Sequence, residues 1–161
     1  MRAVLDKNVL ISGVIATGVP HELLVRGFDH EYQIVVSVET LTEFRQTLLK
    51  YPERFQMSET EVQQEVETIR YFAEFVDPDE EITAVQPDPD DDTFLEAAVA
   101  GDVNYLVSGD THLLDIESYC GIDIVEPRTF YERLDAQSLF FIDPGIGSCL
   151  LLSVLRLKRG C

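Results

Sequence analysis

With no tryptophan, two methionines, three histidines and three cysteines, the chain is poor in soft and redox-active side chains. Cys120, Cys149 and Cys161 are odd in number, widely spaced and without a CxxC pair, so neither a disulfide framework nor a zinc site is expected. His21, His30 and His112 form no HExxH and no pair at ligand spacing, which argues against soft-metal chemistry. No run approaches the roughly 18 to 20 uncharged apolar residues that span a bilayer. Asp6 and Lys7 interrupt the apolar start where a signal peptide would need continuity. A soluble, cytoplasmic protein with no membrane partner is the expectation. Also missing are a GxSxG elbow, a GxxxxGK[ST] loop and a GxGxxG after a strand; Gly145-Ile146-Gly147 is a lone GxG near the end.

Positive charge is scarce as well. Twelve Lys and Arg stand against 30 Asp and Glu, a net charge of −18. Affinity for phosphate backbones normally comes from Lys and Arg releasing counterions, so this field repels nucleic acid at long range. Two divalent cations would leave −14 of the −18. A polynucleotide substrate therefore requires a local basic strip or a basic partner.

What is present is an alternation of short apolar runs and one-sided helical stretches in a 161-residue chain, the usual size of one domain. Arg2 to Leu5 reads as a buried strand stopped by Asp6, and Asn8 to Ile15 as a helix. Pro20 to Phe28 is a second helix and Ile34 to Ser37 a second strand. Ser37 caps Val38 to Lys50, where Leu41, Phe44 and Leu48 share one face. Ser58 with Glu61 opens a longer helix running to about Phe75, followed by a very short strand at Phe75 to Val76. Asp77 to Pro89 is a proline-rich loop. The stretch beginning at Pro87 then carries Asp88, Asp90, Asp91 and Asp92, an apolar helix through Phe94 and Leu95, and a strand at Asn104 to Ser108. Thr111 to Tyr119 reads as a helix, Ile122 to Val125 as a strand, and Pro127 to Leu134 as a last short helix. Strands apolar on both faces and alternating with helices predict an α/β fold, a parallel sheet with helices on both sides. The domain is expected to span 1–134. The tail 135–161, aliphatic and ending on Lys158-Arg159, is expected to pack on the domain or on a second copy of the chain as a homodimer.

In such a sheet, ligands bind beyond the carboxyl ends of the strands, near the point where strand order reverses. Asp6 and Asp110 follow two strands directly and belong to that edge; Asp91 and its neighbours begin the helix leading into the second strand, and Glu43 lies on a helix after another. Singly, each has a plain explanation: aspartates at a first turn answer the macrodipole and free N–H groups, and Glu39 and Glu43 suit an exposed helix face. Asp6 differs, since a carboxylate between two apolar segments is buried unless it finds a partner. Together they suggest an all-oxygen site for Mg²⁺ or Mn²⁺, which can activate water and neutralise a phosphoryl oxygen.

LDKNVLIS at Leu5 to Ser12, VETLTEFRQTLL at Val38 to Leu49, DPDDDTFLEAA at Asp88 to Ala98 and YLVSGDTHLL at Tyr105 to Leu114 resemble, in order, the motifs of PIN-domain nucleases. The likeness is greatest to the branch of toxin components of toxin-antitoxin pairs and covers about Met1 to Leu134. It implies a three-layer α/β/α sandwich and Mg²⁺- or Mn²⁺-dependent cleavage of RNA, single-stranded or structured, with a cognate antitoxin as partner. The family's acidic positions fall on Asp6, Glu43, Asp91 and Asp110, which would be both metal ligands and catalytic residues. Asn8 and Ser108 match polar positions that orient ligand or substrate. Lys7 replaces a small hydroxyl residue and would either bind substrate phosphate or compete with metal, and His112 stands where a further acid is frequent. The alternative is a PIN-like scaffold that binds protein or RNA without cutting, which the charge, Lys7 and His112 favour. A metal-dependent phosphatase would want a DxD, of which Asp6-Lys7-Asn8 offers half.

Overall fold

A computed structural model describes residues 1–79, 81–84 and 89–140, with the side chains of 89–91, 139 and 140 outside that description. The chain runs β1 (Arg2–Leu5), α1 (Lys7–Ile15), α2 (Val19–Phe28), β2 (Gln33–Val36), α3 (Val38–Lys50), α4 (Pro52–Phe55), α5 (Glu59–Phe72) and β3 (Glu74–Phe75). It continues with α6 (Pro89–Ala100), β4 (Tyr105–Val107), α7 (Thr111–Leu114), β5 (Ser118–Tyr119), β6 (Ile122–Val125) and α8 (Pro127–Phe140). The strands form one six-stranded sheet in the order β3-β2-β1-β4-β6-β5. All pairings are parallel except β5 with β6.

Period-two alternation divides the strands between two apolar layers. Ala3, Leu5, Ile34, Val36, Val107 and Val125 face the layer containing Leu10, Leu24, Phe44, Ile69 and Phe130, carried by α1, α2, α3, α5 and α8. Val4, Val35, Leu106, Ile122 and Ile124 face the other, with Phe94, Leu95, Ala97 and Ala98 of α6 and Leu113 of α7. This is the α/β/α arrangement the alternation predicts. Gly13 lets α1 and α2 approach at their 92° bend, since a Cβ there would lie 2.6 Å from Leu24 Cδ1 and 2.9 Å from the Pro20 carbonyl oxygen. Among the described residues, no single helix is long and apolar enough to cross a membrane.

Both serine caps form as reciprocal boxes, Ser37 with Thr40 and Ser58 with Glu61. Several elements differ from the sequence reading. The Ser58 helix ends at Phe72, because Ala73 turns to extended backbone and frees Glu74 and Phe75 to pair beside β2. The short helix α4 was not anticipated. The helix expected from Thr111 to Tyr119 stops at Leu114, and the chain makes a hairpin instead. Glu117, Cys120 and Gly121 take positive φ of 60°, 50° and 81°, which ends any helix and closes the β5–β6 turn. The last helix passes Leu134 and runs to Phe140, where Arg26 of α2 reaches Asp135 at 2.7 Å and stacks on Tyr131. Cys120 is disulfide-bonded, a single bridge where cysteine spacing suggests no disulfide framework.

Candidate active site

The first half of the chain lays β2 and β3 on one side of β1, and the second half lays β4, β6 and β5 on the other. The order therefore reverses between β1 and β4, and the residues leaving those two strands share the ligand-binding edge. Leu5 pairs with Val107, and the Asp6 N–H continues the ladder by donating to the Val107 carbonyl at 2.9 Å. Ser108 extends β4 in the same way, donating to Val125 at 3.0 Å.

Asp6 is the N-cap of α1 and only 2% exposed. One carboxylate oxygen accepts from the Asn8 N–H at 2.5 Å, the other from the Ser108 hydroxyl. With each oxygen engaged, the carboxylate is held in one orientation. The Ser108 hydroxyl, fully buried, in turn accepts from the Asp110 N–H at 3.0 Å. Asp110 is half-buried and caps α7, accepting from the His112 N–H at 2.7 Å. The network thus ties the Asp6 carboxylate to the backbone of Asp110 through a single hydroxyl. Burial pushes the Asp6 carboxyl above its ordinary value, the bonds from Ser108, Asn8 and Val9 oppose this, and the neighbouring Asp110 charge adds to the rise.

Glu43 lies on α3, which packs against α1, and its carboxylate is 3.8 Å from Lys7 Nζ. Glu39 is exposed in the first turn of α3. Asn8 is exposed and meets Asp6 through its backbone N–H. Asp91 lies within the first turn of α6, but its side chain, like that of Asp90, is outside the description, and Asp88 lies outside the described residues altogether. Among the described residues no three Asp, Glu, His or Cys side chains converge closely enough to hold an ion.

Two roles went unread in the sequence. Asp92, 5% exposed, accepts from the Ala84 N–H at 3.0 Å, and Glu96 one turn on accepts from the Ile82 N–H at 2.8 Å. These carboxylates bind the preceding loop to α6. Their i, i+4 spacing was the available signal.

The donor chemistry suits a hard cation. The carboxylates of Asp6 and Asp110 are hard oxygen donors, and burying Asp6 next to Asp110 concentrates negative charge that a divalent ion would offset. A largely parallel sheet with carboxylates at its switch point defines the class: an α/β domain with an acidic edge where such folds bind ligands. The chain belongs to the PIN domain family, whose model matches residues 2–112. Members of that family are generally nucleases, typically using divalent metals. The structure is similar to VapBC2 from Rickettsia felis bound to a DNA fragment from its promoter, with TM-score 0.56 and 12% identity over 78% of this chain and 98% of that one. At that identity the likeness is one of fold. No curated protein matches by sequence.

Proposed function

We propose that the protein is a metal-dependent endoribonuclease, the toxin half of a toxin-antitoxin pair. The observation that carries this reading is the Asp6–Ser108–Asp110 network at the switch point of a PIN-family sheet. Asp6, Glu43, Asp91 and Asp110 would hold Mg²⁺ or Mn²⁺. When bound, the ion supplies an activated water and neutralises charge on the phosphoryl group. The chain's own residues set the geometry: Ser108 and the Asn8 N–H fix the Asp6 carboxylate, and the Ser108 hydroxyl sets the spacing to Asp110. Asn8, exposed beside Asp6, would meet the RNA in this reading. The VapBC2 structure contains a toxin's antitoxin, which supports a protein partner here too. A net charge of −18 suits a partner that presents a basic segment.

Cleavage of labelled single-stranded RNA in Mn²⁺, Mg²⁺ or EDTA tests the proposal. Metal-dependent cutting that Asp110→Asn abolishes supports it; binding without cutting under any metal would favour the scaffold reading. That second reading draws on one specific observation, the lysine seated on Glu43.

A further inference from the structure

Lys7 occupies the first turn of α1, immediately after Asp6. A cation there opposes the positive end of the helix macrodipole. Its side chain is only 17% exposed, so the four-carbon stem is packed against the protein and the head has limited freedom to turn away. Local structure therefore disfavours a lysine at this position, and the compensation must come from across the edge. It comes from Glu43, whose carboxylate is 27% exposed and 3.8 Å from the ammonium.

That pair is unlike the others. Arg2 meets Glu74 at 2.8 Å through both terminal nitrogens, and Arg26 meets Glu31 and Asp135 at 2.7 Å. Such forked contacts at charge-assisted hydrogen-bond length fix geometry. Lys7 to Glu43, at 3.8 Å, is the longest ion pair among the described residues and the one made by a lysine. A compact charge on a flexible four-carbon stem, held at that distance, neutralises without locking.

We infer that the Lys7 ammonium is the resident counter-ion of the acidic edge, seated on Glu43 in the metal-free protein and exchanged for the divalent cation when that cation binds. The inference rests on the metal-site reading above. It makes Lys7 a positioning residue that sets metal affinity. The ammonium offsets the charge of Glu43, the one carboxylate it pairs with, and metal binds more weakly because the ammonium must leave Glu43 first. Substrate phosphate is the competing use for the same charge.

The test is Mn²⁺ affinity by calorimetry, together with melting in EDTA, for the parent, Lys7→Met, Lys7→Gln as a second neutral variant, and the charge-conserving Lys7→Arg. The neutral variants should bind Mn²⁺ about fivefold tighter, the scale of a part-exposed ion pair at its upper end. In EDTA they should melt about 2 to 4 °C lower, the shift that a pair of this strength produces in a chain of this size. Lys7→Arg should bind Mn²⁺ no tighter than the parent. A parent that binds Mn²⁺ and a folded neutral variant that binds it no tighter would overturn the counter-ion role and leave the metal site standing. If that unchanged affinity comes with weakened RNA binding, Lys7 is instead a substrate contact. A parent that binds no Mn²⁺ would overturn the proposed function and this inference together.

Discussion

Two aspartates are buried in this chain among the described residues, Asp6 at 2% exposure and Asp92 at 5%, and they do different work. Asp92 sits on α6 and receives the Ala84 N–H, binding a loop to a helix. Asp6 sits at the switch point, receives the Ser108 hydroxyl, and has the Asp110 carboxylate as a neighbour that raises its pKa further. Burial of a carboxylate therefore does not by itself mark a reactive edge. Position separates the two regions: Asp6 stands at the switch point of the sheet, where the Asp110 charge adds to its own, and like charges at such an edge favour a cation.

The largest effect that would break this comparison is on chemistry. Asp6→Asn or Asp110→Asn should lower metal-dependent RNA cleavage by about 10²- to 10³-fold, the scale of removing one preorganised charge-stabilising group. Asp92→Asn, which keeps an acceptor for Ala84, should stay within a few-fold of the parent. Equal losses at Asp92 and Asp6 in a single-turnover cleavage assay would erase the distinction. On stability the order reverses. Asp92→Ala leaves the half-buried Ala84 N–H without its carboxylate acceptor and should cost about 1 to 3 kcal/mol, read from denaturant unfolding.

A third carboxylate sharpens the comparison at the small end. Glu61 is fully exposed, and the Ser58 N–H and hydroxyl hold its carboxyl below the ordinary value. A lowered folded pKa means that its contribution is present above the unfolded value and lost as pH falls through the folded one. Glu61→Gln should thus melt slightly below the parent at neutral pH, with the gap closing as pH drops below the ordinary carboxylate range. A gap that persists or widens in acid would assign the cap to something other than the charged carboxylate.

How far the sequence could be read follows from where each element's information lies. β1, β2, β4 and β6 were legible within one residue at each end, because apolar runs bounded by Asp6, Ser37, Ser108 and Pro127 carry their own stops. The shared edge of Asp6 and Asp110 followed from strand-end position alone. The β5–β6 hairpin was not legible: Glu117 and Cys120 take left-handed backbone that their residue types do not announce, and the segment looks helical until that turn is known. Nor was the reach of α8 to Phe140, which is secured by a contact from Arg26, 109 residues away in sequence. At the acidic edge, Ser108 was picked out by family likeness. Its position between Asp6 and the Asp110 N–H is a tertiary fact that spacing does not carry. The Lys7–Glu43 pair likewise depends on how α1 and α3 pack.

The central claim is that Asp6 belongs to an edge built to bind a divalent cation. Melting the parent and Asp6→Asn in EDTA and in Mn²⁺, at constant ionic strength, tests it most directly. Asparagine keeps the cap on α1 and removes the buried charge, so without metal Asp6→Asn should melt above the parent. Mn²⁺ at about 100 times its Kd should raise the parent by about 5 to 10 °C, from roughly 2.7 kcal/mol of linked stabilisation, and raise Asp6→Asn much less. An equal metal shift in both proteins, or a variant that melts below the parent in EDTA, would contradict the account.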